Sequence, residues 1–294
     1  MDFFIKKVMI YLLLSSTSLL WRCAQEETSD KIMVGVSIQP LADLTQKIGG
    51  SKVSVFTIIP TGANPHTFEL TPGIMKKMNS ADLLVFNGIG LEYWLNNVLE
   101  ALSGKKAVFT SEGLTILQEH HDQHAEGNPH VWLNPQNAIH QAKRIYAALT
   151  DVDPTNRAYY ETQTAVLIKE LTILDSDIEN QVNSWKQKRF VCFHPSWVYF
   201  AQRYGLEQAG VIEKTPGQEA RPKDIAELVE TIKKIGARAV FAELQFPARS
   251  VEIIAQESNI QVITLDPLGA LPQTKSYVDL MRYNVALMNR VMRE

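Results

Sequence analysis

Residues 153–188 read DPTNRAYYETQTAVLIKELTILDSDIENQVNSWKQK, and this stretch decides the architecture that the sequence predicts. Asp153-Pro154 is typical of a helix start, because proline is well tolerated at the first helical position. Beyond it, core-type residues recur every three or four positions, at Tyr160, Thr164, Leu167, Leu171, Leu174, Ile178, Val182 and Trp185. Neither glycine nor proline interrupts this pattern, so we predict one stiff helix roughly 50 Å long.

Strands alternate with helices on both sides of this helix. Before it, we predict strands at IMVGVSI, VSVFTII and DLLVF, shorter strands at KAVFT and LTIL, and helices at 41–48, from TPGIMKKMNSA, in LEYWLNNVLEAL and after Asn134-Pro135. After it, we predict strands at RFVCF, LEQAGVI, AVFAEL and QVITLD, and helices at 222–235, 247–258 and from about Lys275. This alternation predicts an α/β fold class, with two α/β lobes of mainly parallel sheets joined by one long rigid helix.

The ends and the composition set the predicted domain boundaries. The chain has 294 residues, 45% of them hydrophobic, and a net charge of −3, which gives no indication of a nucleic-acid partner. Lys6 and Lys7 precede the apolar run 8–20, which is shorter than the roughly 20 residues that a membrane span needs. We predict a signal peptide at 1–22 and export. The first lobe is then predicted at 23–152, the linking helix at 153–188 and the second lobe at 189–294.

The two cysteines suggest different roles. Leu20 lies three positions before Cys23, as in a bacterial lipoprotein signal, although Trp21 and Arg22 are not the small residues usually found there. We therefore predict lipidation of Cys23, with ordinary cleavage nearby as the alternative. Contact with the membrane would occur only through that lipid, at the outer face of the cell membrane or in the periplasm. Cys192 has no framework of disulfide partners and is predicted to be a buried residue of a strand.

Three histidines occur in related contexts. Asn-Pro-His appears twice, in ANPHTFELTP (63–72) and GNPHVWLNP (127–135), and a third histidine lies in VCFHPSWVYF. His66, His194 and Asp266 follow predicted strands, and His130 precedes a helix. Ligands of open α/β sheets bind beyond the carboxyl ends of the strands. Three imidazoles and one carboxylate suit Zn²⁺, whereas Mn²⁺ prefers more oxygen. Position alone leaves open that each histidine is a surface residue or a hydrogen-bonded core residue.

Other polar residues are weaker candidates for metal ligands. His140 points away from the apolar face of its helix and is not predicted to bind metal. The loop QEHHDQHAEGN (118–128) offers accessory metal ligands in His120, His121 and His124, or is a disordered loop. Glu243 in FAELQF also follows a strand. We predict that Asp266, followed by a Pro267-to-Gly269 turn, binds the metal directly, and that Glu243 orients a ligand or bonds loop backbone.

From residue 33 to its end, the chain resembles the metal-binding solute-binding proteins of zinc and manganese ABC transporters. The matching motifs are PHTFELTP, NPHVWLNP, FHPSWVYFAQRYGL, ARPKDIAELVETIKKIGARAVFAELQF and ITLDPLG, in the order of the family. The resemblance implies two lobes, a rigid linking helix and a metal site at their interface. It places the ligands at His66, His130, His194 and Asp266. A histidine at position 194, where manganese members tend to carry glutamate, favours zinc.

The expected function is therefore the capture of Zn²⁺ outside the membrane by a monomer, which delivers it to a permease and its ATPase. The stiff helix implies small shifts rather than wide lobe closure during uptake. A manganese or iron protein of the same class is the alternative. An adhesin with a structural metal site has no sequence feature in its favour. A zinc enzyme is disfavoured because four protein ligands nearly close the site and no HExxH motif occurs.

Overall fold

The structure of the protein is a computed structural model that describes residues 31–98, 100–118, 127–212, 221–246 and 249–293. All elements described below lie in the unit that begins at Ile32. The predicted signal peptide, the predicted lipidation site Cys23 and the predicted accessory histidines His120, His121 and His124 lie outside the described residues. None of the described helices is both long enough and apolar enough to span a membrane.

The first sheet has four parallel strands in the spatial order β2-β1-β3-β4. Along the chain its elements are β1 (Ile32–Val36), α1 (Gln39–Gly49), β2 (Val53–Thr57), α2 (Pro72–Ser80), β3 (Leu83–Phe86) and β4 (Lys106–Phe109). All four residues of β3 are buried. An uninterrupted apolar run of this kind is typical of a parallel strand that is covered on both faces.

Two consecutive helices follow, α3 (Pro135–Val152) and α4 (Arg157–Asn183). Asn134 caps α3 because its Oδ1 accepts the N–H of Gln136 at 2.9 Å. Helix α4 has 27 residues and is therefore about 40 Å long. Ser184 ends it by donating to the carbonyl of Gln181, so the continuous α-helix is shorter than the predicted 153–188 segment. Its buried residues are Tyr160, Thr164, Leu167, Leu171, Leu174, Asp175, Ile178 and Val182.

The second sheet repeats the layout of the first. Its parallel strands have the spatial order β6-β5-β7-β8. Its elements are β5 (Arg189–Cys192), α5 (Val198–Arg203), β6 (Glu207–Val211), α6 (Pro222–Ile235), β7 (Ala239–Glu243), α7 (Arg249–Ser258), β8 (Gln261–Leu265) and α8 (Tyr277–Met292). Cys192 is buried in β5, as its apolar neighbours predict.

One apolar core runs through both sheets and α4, from Leu41 in α1 to Met281 in α8. Helix α4 is not the only connection between the two halves. The start of α8 is tied to the first half, because the N–H of Tyr277 donates to Asp43 at 2.8 Å and its hydroxyl donates to the carbonyl of Trp132 at 2.6 Å. The core and these bonds together oppose a wide rotation of one sheet against the other.

Two predicted elements differ from the structure. The described part of 91–102 contains a short 3₁₀ turn, Leu95–Asn97, instead of an α-helix. Glu92 explains this, because its buried carboxylate accepts the backbone N–H groups of Asn87 and Gly88 and thereby folds the segment back onto the end of β3. LTIL is not a strand, since the backbone of Leu117 bonds instead with Tyr199 and Asn128.

Candidate metal centre

The two Asn-Pro-His segments share one local hydrogen bond. Oδ1 of Asn64 accepts the N–H of His66, and Oδ1 of Asn128 accepts the N–H of His130, both at 2.9 Å. An asparagine that bonds the backbone two residues ahead forms a tight turn, and the intervening proline restricts it further. Each copy of the Asn-Pro-His repeat therefore holds its histidine in a fixed position.

His194 lies two residues after β5 and is buried beside the 3₁₀ turn Pro195–Trp197. Its imidazole packs against the ring of Phe246, with the ring centroids 4.9 Å apart. Phe246 packs in turn on Phe193, with a centroid separation of 5.1 Å. Aromatic neighbours on this side limit the rotation of the His194 ring and exclude water from it.

The three imidazoles meet through their Nε2 atoms. These atoms are 3.2 Å apart between His66 and His130, 3.2 Å between His66 and His194, and 3.3 Å between His130 and His194. A neutral imidazole nitrogen either donates or accepts, so three nitrogens that face one another cannot all be satisfied pairwise. A tetrahedral Zn²⁺ with Zn–N bonds of about 2.0–2.1 Å needs N–N separations of about 3.3–3.4 Å. The triangle matches three corners of that tetrahedron.

Burial keeps two of these histidines neutral. It lowers the pKa of His130 well below 6.5, with repulsion from His66 as a further cause. It does the same to the pKa of His194, which His66 and His130 also lower. Nδ1 of His130 donates to Oδ1 of Asn128 at 2.9 Å, which leaves the lone pair on Nε2. The neutral form is the one that binds a metal.

A cavity of about 10 Å³ adjoins the imidazoles, and this is about the space that one water-sized sphere occupies. The three histidines line it together with Glu243 and Gln245, among other residues. Among the described residues, His66, His130 and His194 form a group that can hold a metal ion jointly. The space beside the three imidazoles is thus about the size of one water molecule.

Comparisons with known proteins agree with this arrangement. A family model described as the periplasmic zinc-uptake complex component A, ZnuA, matches residues 34–291. The chain belongs to the ZnuA family. The family consists of solute-binding proteins of ABC transporters that bind metal, so the chain is a binding protein and not an enzyme.

Known relatives and solved structures of similar proteins also match about nine tenths of this chain. The manganese ABC transporter substrate-binding lipoprotein ScaA of Streptococcus gordonii is 29% identical over 278 residues, which cover 90% of each chain. A crystal structure of ZnuA is 32% identical, covers 89% of this chain and 99% of its own, and superposes with a TM-score of 0.81. The periplasmic zinc-binding protein TroA of Treponema pallidum, 23% identical, covers 90% of this chain and 100% of its own at a TM-score of 0.82, which shows the fold alone. The predicted α/β fold is confirmed.

Asn128 is a residue of this ZnuA-family site that the sequence analysis missed. Besides holding His130, it donates from Nδ2 to the carbonyl of Pro195 at 2.7 Å, directly after His194. Its own carbonyl accepts the hydroxyl of Tyr199 at 2.8 Å. Asn128 thus connects the histidine of the first half to the loop that carries the histidine of the second. The repeated asparagine of the two motifs was the available signal.

The structure does not bring Asp266 into the group of potential ligands. Its Oδ1 accepts the N–H groups of Leu268 and Ala270, at 3.2 and 3.0 Å, and its Oδ2 accepts the N–H of Leu271 at 3.0 Å and the hydroxyl of Thr274. A short carboxylate next to a turn reaches these backbone donors most easily. Direct coordination of a metal by Asp266 therefore stays a prediction. The carboxylate instead organises the loop whose residue Pro267 accepts the indole N–H of Trp132 at 2.9 Å.

Glu243 and Gln245 lie where β7 ends. Glu243 is buried and accepts a hydrogen bond from the hydroxyl of Ser196. Gln245, which the sequence analysis did not single out, lines the same cavity. Its amide oxygen and nitrogen are buried and have no hydrogen-bond partner within the described part of the chain. His140 is remote from this group, and its Nε2–H donates to the carbonyl of Glu112 at 2.7 Å.

Proposed function

We propose that this protein captures Zn²⁺ outside the cytoplasmic membrane and delivers it to an ABC-transporter permease that an ATPase drives. The observation that carries the proposal is the triangle of Nε2 atoms from His66, His130 and His194, 3.2–3.3 Å apart. Two of these imidazoles are held neutral, and one has its tautomer set by Asn128. We propose these three histidines as the protein ligands, with Asp266 supporting the neighbouring loop.

Zinc is favoured over manganese by the chemistry of the ligands. Zn²⁺ stands well above Mn²⁺ in the affinity order of divalent metals, and imidazole suits Zn²⁺ while Mn²⁺ prefers carboxylate, carbonyl and water. The group of potential ligands contains nitrogen and no carboxylate, because the oxygens of Asp266 are engaged by the loop. Transport of manganese is the alternative, which the name of the streptococcal relative ScaA supports.

Equimolar competition between Zn²⁺ and Mn²⁺, followed by elemental analysis of the purified protein, tests the choice of metal. We expect the protein to retain zinc, because its affinity for zinc should exceed its affinity for manganese by orders of magnitude. Retention of manganese would establish the alternative. Transport itself is tested by metal uptake in cells that lack only this protein.

Alanine variants of the three histidines test the ligands. His66→Ala, His130→Ala and His194→Ala should each weaken zinc binding by more than the roughly 10–100-fold that the loss of a ligand's hydrogen-bond partner costs. His140→Ala is the matched control, because this histidine contacts Glu112 away from the cavity. Zinc affinity that survives in all three variants would exclude the site.

The cellular setting remains part of the proposal. We propose that residues 1–22 are removed on export and that Cys23 carries a lipid, as the word lipoprotein in the name of ScaA suggests for that relative. Mass spectrometry of the native N-terminus distinguishes a lipidated Cys23 from ordinary cleavage. We also retain the proposed lobes at 23–152 and 189–294, a linking segment at 153–188 that contains the helix α4 (Arg157–Asn183), and a monomeric state.

A further inference from the structure

We propose that Gln245 serves the fourth coordination position of the metal by accepting a hydrogen bond from a water molecule bound there. This inference rests on the proposed function, because it assumes that the three histidines hold a metal ion. Three protein ligands leave at least one position of a tetrahedral zinc ion to another group. The polar groups that line the cavity decide what that group is.

Both polar atoms of the Gln245 amide are unpartnered. Its Oε1 and Nε2 are buried and have no hydrogen-bond partner among the residues that the structure describes, although the side chain lines the same small space as the three imidazoles. A buried amide without partners costs free energy in the folded protein. An occupant of the cavity that forms hydrogen bonds removes this cost.

The backbone holds Gln245 in place. It lies in the turn after β7, where the N–H of Phe246 donates to the carbonyl of Glu243 at 3.3 Å. On one side of Gln245, Glu243 is buried and receives the Ser196 hydroxyl. On the other side, Phe246 packs against the ring of His194. These contacts anchor the turn that carries Gln245, whose side chain lines the cavity beside the histidines.

Water on zinc is a suitable partner for this amide. A zinc-bound water is a strong donor, because the metal lowers its pKa toward neutrality. The amide oxygen can accept from that water, and the amide N–H₂ can donate to the hydroxide that forms when the water loses a proton. The cavity of about 10 Å³ matches one such molecule. Gln245 would thereby hold the water at the fourth position without adding a charged side chain to the three-histidine set.

The test compares the mature protein with Gln245→Met, which keeps the length of the side chain and removes both polar atoms. Gln181→Met, on the exposed face of α4, is the matched control. Zinc affinity is measured by competition with a chelator. We expect a 10–100-fold loss for Gln245→Met and no change for Gln181→Met. A Gln245→Met affinity within twofold of the wild type would overturn the inference.

Metal-free stability separates this role from a structural one. If the amide exists to serve bound metal, metal-free Gln245→Met should unfold at the same temperature as the wild type or higher, since a buried amide without partners has been removed. A lower unfolding temperature together with weaker zinc binding would indicate a structural role and contradict the proposal.

The presence of water is tested with Co²⁺ in place of zinc. The visible absorption spectrum of the Co²⁺ protein should change when thiocyanate is added, because the anion replaces an exchangeable water. A spectrum that does not respond would mean that a protein group fills the fourth position. If the wild-type protein binds no zinc, or binds it equally well without His66, the proposed function fails. If binding depends on the histidines but not on Gln245, only this inference fails.

Discussion

Nε2 of His66 and Nε2 of His194 lie 3.2 Å apart, although 128 positions separate the two residues in the sequence. His66 follows a strand of the first sheet and His194 follows a strand of the second. Their distance is therefore set by the core that joins the two sheets and by α4, and not by any local turn. Substitutions of single residues can therefore measure how this long-range packing contributes to zinc binding and to stability.

Asn128 should matter for zinc binding although its side chain is not a proposed ligand. Asn128→Ala removes the acceptor that sets the tautomer of His130 and the donor to Pro195, so we expect zinc affinity to fall roughly 10–100-fold. Asn128→Asp keeps the acceptor for His130 but loses the donor to Pro195, so we expect it to recover only part of the loss. Isothermal titration in the presence of a competing chelator measures both variants. Equal affinities of Asn128→Ala and the wild type would contradict the prediction.

Asp266 should matter for stability more than for metal binding. Asp266→Asn places amide hydrogens where four donors converge, so we expect the free energy of unfolding to fall by about 2–4 kcal/mol. At temperatures where the variant is folded, its zinc affinity should stay within roughly tenfold of the wild type. Tenfold is the smaller end of the loss that is typical when a residue that supports a metal ligand is replaced. Urea unfolding and zinc titration measure the two quantities. A zinc-bound structure with an Asp266 oxygen at about 2.0–2.2 Å from the metal would instead restore it as a ligand.

Asp175, in the middle of α4, connects three helices. Its carboxylate accepts hydrogen bonds from Gln136 of α3 at 2.6 Å, from Arg203 of α5 at 2.7 Å and from Tyr204 just beyond α5 at 2.8 Å. We expect Asp175→Asn to lower the free energy of unfolding at pH 7 by about 2–3 kcal/mol. This value is smaller than for a fully buried ion pair, because Arg203 is partly exposed to solvent. Asp177→Asn, in an exposed pair with Arg282 on the same helix, should cost less than about 1 kcal/mol.

The pH dependence of this difference follows from the pKa of Asp175. Burial alone would raise that pKa, but the hydrogen bonds from Arg203, Gln136 and Tyr204 outweigh burial and hold it below the ordinary value of 3.8. The stabilisation is therefore complete above about pH 4 and is lost as the pH falls through the lower folded-state value. Urea unfolding of the wild type and of Asp175→Asn should give converging stabilities under acidic conditions. A difference that persists unchanged at pH 2 would contradict this account.

The buried histidines should make the metal-free protein sensitive to mild acid. The pKa values of His130 and His194 are lowered on folding, so below about pH 6.5 the unfolded chain binds more protons than the folded one. Stability should therefore decline as the pH falls from 6.5, by up to about 1.4 kcal/mol per pH unit for each histidine. Chelator-treated protein unfolded in urea between pH 8 and pH 5 measures the slope.

The variant His130→Asn/His194→Asn provides the comparison for that slope. Without the two titrating imidazoles, the decline of stability between pH 6.5 and pH 5 should become shallower. An identical slope in the variant would mean that other groups cause the acid sensitivity. If His130 and His194 bind zinc as proposed, their lowered pKa values place the resulting loss of affinity below pH 6.5, since a proton competes poorly for a site that burial already keeps neutral.

Local patterns in the sequence were sufficient for much of the fold. The spacing from Tyr160 to Val182 predicted the buried face of α4, because the helical period alone brings such residues onto one side. Asn134-Pro135 predicted the start of α3, since both the cap and the proline act within one turn. The two Asn-Pro-His motifs likewise predicted histidines at fixed positions, because an asparagine two residues away is enough to hold each one.

Only the tertiary structure decided which polar groups line the cavity beside the three histidines. Asp266, Glu243 and Gln245 all lie at or just after the ends of strands. Their positions in the sequence therefore make each of them a similar candidate for facing a metal. Asp266 turned toward donors of its own loop, while Gln245 lines the cavity beside histidines that lie far away in the chain. A hydrogen bond such as that from Asn128 to Pro195 joins residues 67 positions apart. Such partners depend on how the two sheets pack, and packing is a property of the whole chain that no local pattern contains.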